Sequence, residues 1–409
     1  MRLKWTILWI ATSFLQVNAQ ELEDILIYGQ RNSSEHVILR ELQIAPRTPI
    51  DRERLRQERN WLLRLDFLKR IDFLTKTGTR PDRQILMIVI RERSPLSFSP
   101  SLDLDDRYGL SLGGSVTTYN LRGNRERVRV SGMIGGYQQL GFSWQNPWMG
   151  GPLRLFAELR ASYKQIDYLY PDWNDPFEEK DIVFQGRIGR QIGRKLRLGI
   201  AGGFEKITLS DAAVSMSLNG TDELYRWQMF SEYDTRDWPF YPREGIFLKC
   251  AIDRYYLPQN QSLDFLSTDF RAYFPLGHQP ILAVQIAGHL SEGFTPVYKR
   301  THLGGSRTVR GFATGEYAGE NILFSSLEYR FPWLYERNPS AGLHFGINGV
   351  LFMDAGTIWW NRDSFSFKSV RGSAGLGVHL IWDQWVIRVE YGQQGRKWGF
   401  ISTGTDVKF

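Results

Sequence analysis

The chain runs to 409 residues, 42% hydrophobic and 14% aromatic, yet its mean hydropathy is −0.34. Apolar residues are diluted evenly by polar ones, which excludes a bundle of membrane helices, each needing a run of about 18 or more apolar residues. The net charge of +7, or +5 once a leader carrying Arg2 and Lys4 is set aside, is too mild and dispersed for a nucleic-acid binder.

Residues 1–19 read as a signal peptide. Arg2 and Lys4 supply the positive start, residues 5–15 a short apolar core, and Val17-Asn18-Ala19 a small-residue cleavage site. An exported chain with one cysteine, Cys250, has no internal disulfide and must draw its stability from hydrogen-bonded sheet.

Residues 20–94 predict a small α+β domain in the order strand, helix, helix, strand, strand. "ILIYGQRN" reads as the first strand. Asn32, with Glu35 three residues on, is expected to cap a helix carrying Val37, Ile38 and Leu42. Pro49 and Asp51 open a second helix with Leu55, Leu62 and Leu63 on one face, and "RIDFLTK" and "RQILMIVIRER" supply the closing strands.

From residue 95 onward helical periodicity gives way to alternation. "GIFLKCAID" sets Ile246, Leu248, Cys250 and Ile252 against Phe247, Lys249, Ala251 and Asp253. "WVIRVEYG" sets Trp385, Ile387, Val389 and Tyr391 against Val386, Arg388, Glu390 and Gly392. Sixteen such segments begin near Phe98, Gly109, Glu126, Gln139, Leu153, Asp181, Leu196, Tyr225, Gly245, Phe265, Ile281, Ile322, Gly346, Ser373, Trp385 and Gly399. About 20 residues per strand and connection leaves room for the ~9–11 a membrane-spanning strand needs. Residues 95–409 therefore predict a sixteen-stranded antiparallel transmembrane β-barrel, whose closure pairs every backbone group in lipid.

Catalysis finds no support. "GLSLG" at 109–113 matches a nucleophile elbow, but more strand follows Ser111 where the elbow requires a helix. The six histidines are scattered without metal-ligand spacing. Asp103, Asp105 and Asp106 lack the glycine and glutamate of a calcium loop and read as lumenal and turn charges. No enzyme activity, cofactor or metal is expected.

The informative stretch is "LGGSRTVRGFATGEY". If the first strand rises from the periplasm, residues 293–320 form the longest external loop, with Val309-Arg310-Gly311-Phe312 at its tip. Alternation puts Phe352, Asp354 and Glu328 on the lumenal side of their strands, where an inward-carried guanidinium can meet both carboxylates.

"VRGF", "DTRDWPFYPREG" at 234–245, "SLEYRFP" at 326–332 and "FMDAG" at 352–356 stand in an order that resembles the BamA/TamA superfamily, the bacterial surface antigen family. "SSEHVILRELQIAPRTPI" resembles the first helix of a POTRA module, so the likeness spans nearly the whole mature chain, with room for one such domain. The resemblance implies a loop folded back into the barrel and latched by Arg310 on Asp354 and Glu328. It marks Asp234, Arg236, Asp237, Phe352 and Gly356 as motif residues. The last strand, "STGTDVKF", reads as a barrel targeting signal with Gly404, Val407 and Phe409, and it turns Ser402, Gly404, Asp406 and Lys408 inward.

The implied function is outer-membrane protein insertion or translocation. An unfolded outer-membrane or secreted client would bind the periplasmic POTRA-like domain by strand addition and be templated at a weak seam between first and last strands. Outer-membrane lipids and accessory lipoproteins are the further partners implied, and a short chain favours an accessory or specialised role. A passive pore or structural barrel remains the alternative.

Overall fold

The computed structural model describes residues 20–168, 175–277, 279–338, 343–382, 385–395 and 399–404. The expected signal peptide, Asp406, Val407, Lys408 and Phe409 lie outside these described residues.

The first unit contains β1 (Gln20–Tyr28), α1 (Glu35–Leu39), β2 (Pro49–Ile50), α2 (Arg52–Leu62), β3 (Leu68–Thr77) and β4 (Arg83–Glu92). Its sheet runs β2-β1-β4-β3, with β1 parallel to β4 and the other pairs antiparallel. Leu22, Leu86, Ile88 and Ile90 form a buried core with Val37 and Ile38 of α1 and Leu62 of α2, against which Leu55 and Leu63 also pack. Asp51 caps α2 by accepting from the Arg54 N–H at 2.7 Å.

Asn32 does not cap α1; the cap position is Ser34, and no side chain fills it. The N–H groups of Asn32 and Ser33 instead donate to the Glu92 carboxylate, each at 2.9 Å. A charged acceptor delivered by β4 outcompetes the local cap, because hydrogen bonds to ionised groups are the stronger ones. The short β2 is an addition to the order read from sequence. It consists of Pro49 and Ile50 pairing with Glu21 and Gln20.

Sixteen strands then form one antiparallel sheet. They are β5 (Leu96–Asp105), β6 (Gly109–Leu121), β7 (Glu126–Gly135), β8 (Gln138–Met149), β9 (Leu155–Tyr168) and β10 (Phe177–Ile192). Next come β11 (Leu196–Leu209), β12 (Thr221–Asp234), β13 (Gly245–Tyr256), β14 (Ser262–Pro275) and β15 (Ile281–Gly293). The long connection after β15 contains a small ribbon, β16 (Thr301–Leu303) paired with β17 (Tyr317–Gly319). The wall resumes with β18 (Asn321–Asn338), β19 (Leu343–Trp359), β20 (Arg371–Trp382), β21 (Trp385–Gln393) and β22 (Phe400–Gly404).

Each wall strand pairs with its predecessor, β15 pairing directly with β18, and the sheet curls until β22 lies beside β5. Among the described residues no backbone ladder joins those two strands. Close by, the Trp385 indole N–H of β21 donates to the Ser99 hydroxyl of β5 at 2.9 Å.

The alternation is inside-out relative to a water-soluble sheet. Phe98, Ile134 and Leu140 are 62%, 71% and 58% exposed, and Ile246, Leu248 and Ile252 also face outward. The polar residues that alternate with outward apolar ones, Asp253 in β13 and Arg388 and Glu390 in β21 among them, are buried. An apolar exterior around a polar interior is the pattern of an outer-membrane barrel. Ser111 lies buried inside β6, which continues to Leu121 with no helix.

The helices of the first unit meet the turns at one end of the barrel. Arg194 between β10 and β11 pairs with Glu58 of α2 at 2.5 Å, and Arg125 between β6 and β7 pairs with Glu41 at 2.8 Å. Arg127 pairs with Asp66, and Arg64 approaches Asp234 at 3.6 Å. Two guanidinium groups stand over the Trp61 ring of α2, Arg64 at 4.6 Å and Arg194 at 4.9 Å from its centre. This "domain end" is opposite the end from which the 294–320 loop departs.

Candidate functional site

The 294–320 loop enters the barrel. The β16–β17 ribbon lies along β18 and β19, and Leu303, Val309, Phe312 and Ile322 form a buried apolar cluster with Tyr317, Phe324 and Ile358. Gly356 admits this packing, since a Cβ there would stand 2.8 Å from both Leu303 Cδ1 and Val309 Cγ2. The tip reaches β21: Gly311 adopts φ +88° and a Cβ on it would lie 2.8 Å from the Gln393 nitrogen. A glycine meets both demands at once.

Arg310 is 0% exposed. Its backbone N–H and Nε both donate to Asp354 Oδ2, at 2.9 and 2.8 Å. Nη2 donates to Asp354 Oδ1 at 2.8 Å and to the Ser326 hydroxyl at 2.9 Å. Nη1 donates to Glu328 Oε1 and Glu390 Oε1, each at 2.6 Å. All five guanidinium N–H donors are therefore engaged, and the Phe352 ring centre lies 3.6 Å from the guanidinium carbon.

The acids have further partners. Arg330 donates to Glu328 Oε2 at 2.8 Å, and Arg388 Nη1 donates to Glu390 Oε2 at 2.8 Å. Three cations thus face three carboxylates in a fully buried site, where uncompensated charge is costly.

The sequence motifs meet unequally here. Arg310, Asp354, Glu328 and Phe352 come together in one contact shell, with Val309, Gly311, Phe312 and Gly356 shaping the approach. Asp234, Arg236 and Asp237 do not enter it. Asp234 accepts from the Arg236 backbone N–H and side chain at 2.9–3.1 Å, and Asp237 accepts from the Arg243 and Glu244 N–H groups at 2.9 and 3.3 Å. They fold the 235–244 turn. That turn contributes a different residue, Tyr241, whose hydroxyl contacts His379 Nδ1 at 3.1 Å. His379 Nε2 contacts Glu390 Oε1 at 3.0 Å. A chain of contacts therefore joins the domain-end turn to the inward loop.

Nothing in the sequence singles out Glu390, Ser326, His379 or Tyr241 as members of this site. Alternation puts Glu390 on the polar face of its strand, which is the available signal. Gly404 lies in β22 opposite Arg388, and Ser402 pairs with Glu390.

The loop has a second docking point nearer its root. Lys299 Nζ pairs with Glu205 at 2.5 Å, the Tyr298 hydroxyl donates to Asp222 at 2.7 Å, and the Tyr168 hydroxyl donates to the Val297 carbonyl at 3.3 Å. Among the described residues no cluster of His, Cys, Asp and Glu is arranged to hold a metal.

Residues 120–398 match the Omp85 superfamily domain. The outer membrane protein assembly factor BamA of Nitratidesulfovibrio vulgaris is 21% identical over 393 residues, which cover 90% of this chain and 48% of that protein. The chain thus spans about half the length of this curated relative. The crystal structure of BamA from Haemophilus ducreyi lacking POTRA domains 1-3 superposes with a TM-score of 0.61 at 16% identity, covering 95% of this chain and 84% of that one. CdiB from Escherichia coli gives 0.64 at 13% identity, covering 94% and 75%. These structural likenesses concern the fold.

Proposed function

The chain belongs to the Omp85 superfamily, and on that premise we propose that it inserts or translocates proteins at the bacterial outer membrane. The observation that carries this reading is the buried Arg310 network: the long loop after β15 is held inside the cylinder by a guanidinium bonded to Asp354, Glu328, Glu390 and Ser326. A barrel whose wall must open without collapsing gains a fixed internal brace.

The unit at residues 20–94 is a POTRA-like domain in the periplasm, and residues 95–409 are the membrane barrel. The edge of β3, away from β4, is free within its sheet and suits an extended client strand. The β5–β22 boundary is the seam at which client strands are templated. Client strands in lipid need backbone partners, because each orphaned polar group costs several kcal/mol. The clients are unfolded outer-membrane or secreted proteins, and no enzymatic step is involved. Outer-membrane lipids and accessory lipoproteins are the remaining partners in this reading.

Depletion in the native host, followed by a census of outer-membrane proteins, tests it. Loss of many barrels indicates an insertase and loss of one surface protein a dedicated translocator. An unchanged census, with bilayer conductance indifferent to Arg310→Ala, would leave a passive pore.

A further inference from the structure

In sheet order the wall runs β18, β19, β20, β21, β22 and then, past the seam, β5 and β6. The inward loop touches both sides of that break. On one side Arg310 binds acids of β18, β19 and β21, and Gly311 presses on the backbone of Gly392 and Gln393. On the other side the loop meets the hairpin between β5 and β6. Three residues beyond Gly311, the Thr314 N–H donates to both oxygens of the Asp106 carboxylate, at 3.0 and 3.1 Å. The Arg107 Nε donates to the Thr314 carbonyl at 2.7 Å. Asp105 folds the same hairpin by accepting from the Arg107 and Tyr108 N–H groups at 2.8 and 3.1 Å.

We infer that the loop is a crossbar over the seam, anchored on β21 by Arg310 and on the first hairpin by Asp106 and Arg107 acting as positioning residues. A backbone amide and its carbonyl are gripped by neighbouring side chains of opposite charge, so the far anchor fixes the orientation of the Thr314 peptides as well as their location. Parting β22 from β5 moves the two anchors apart. It must therefore stretch the short Gly311–Thr314 segment or release one end. Release at Asp106 and Arg107 is the easier course, because Asp106 is exposed whereas Arg310 is fully buried. The crossbar thus has a permanent end and a releasable end, and the releasable end faces the outside of the cell. This deepens the insertion reading and rests on the seam proposed there.

The test uses the full chain carrying Cys250→Ser, with spin labels at Leu104→Cys and Ile401→Cys, two outward positions on either side of the seam, in phosphatidylethanolamine–phosphatidylglycerol bilayers. Inter-label distances report how often the seam is wide. Asp106→Ala with Arg107→Ala is expected to raise the wide population roughly threefold to tenfold, the effect of losing one or two net hydrogen bonds. In an Arg310→Ala background the same pair should add less than about twofold, since one strut is already lost. Oxidising an unlabelled Asp106→Cys, Thr314→Cys pair should slow client insertion, and reduction should restore it. An unchanged distance distribution in a variant that keeps its heat-modified gel mobility overturns the crossbar. Client insertion by the unlabelled parent is scored separately. If it is absent while distances shift, the crossbar stands and the insertion reading falls.

Discussion

Arg310 satisfies every donor it owns within one pocket, and that sets a demand no other side chain meets. Lysine keeps the charge but concentrates its donors at a single nitrogen, and it cannot span Asp354 and Ser326 on one flank with Glu328 and Glu390 on the other. Arg310→Lys should therefore behave much like Arg310→Ala, leaving buried carboxylates short of a partner at a cost on the order of 3–5 kcal/mol. The check is the temperature at which the folded gel band is lost, together with protease cleavage within 304–316. Wild-type behaviour of the lysine variant would refute the donor-matching argument. The sequence exposed Arg310, Asp354 and Glu328 because a motif and strict alternation identify both residue and face. Glu390 escaped because alternation gives the face of a strand but not its height, and height depends on the stagger accumulated around the whole barrel.

At the scale of elements, every wall strand begins within four residues of the start read from alternation, because period-two patterning and turn residues are local signals. The predicted cap at Asn32 failed for the opposite reason, since its competitor, Glu92, arrives from 60 residues away. β2 is too short to show any period. Glu92 itself supports a pH prediction. Burial alone would raise its carboxyl, but the Ser33 hydroxyl and the N–H groups of Asn32, Ser33 and Arg31 outweigh burial and hold it below the usual carboxylate range. A carboxyl depressed in the folded state adds stability above its unfolded pKa of about 4.3, and that stability is lost as pH falls through the lower folded value. Protection of the Asn32 and Ser33 amides from hydrogen exchange should fall as pH drops below about 4, and Glu92→Gln should flatten that dependence. An identical acid response in the variant would remove Glu92 as its source.

For the whole molecule, strand count and barrel class were legible, whereas the seating of the first unit was not. Arg194, Glu58, Arg125 and Glu41 look like ordinary surface charges in sequence, and only the curled sheet brings its turns to the helices. Arg194→Ala should loosen the seating by removing the contact to Glu58 and the cation over the Trp61 ring. The expected result is increased Trp61 accessibility to a soluble quencher, with the barrel's gel mobility preserved. Wild-type quenching would mean that the remaining ion pairs suffice.

The Arg310 pocket also bears on how a new copy of this protein matures. Glu390 arrives on the penultimate strand, 80 residues after the arginine it binds. Without that strand the loop has only Asp354, Glu328 and Ser326 to grip, and one of its Nη1 donors goes unused. The arginine's full set of partners therefore exists only once β18, β19 and β21 all stand in the wall, which ties the seating of the loop to the completeness of the barrel.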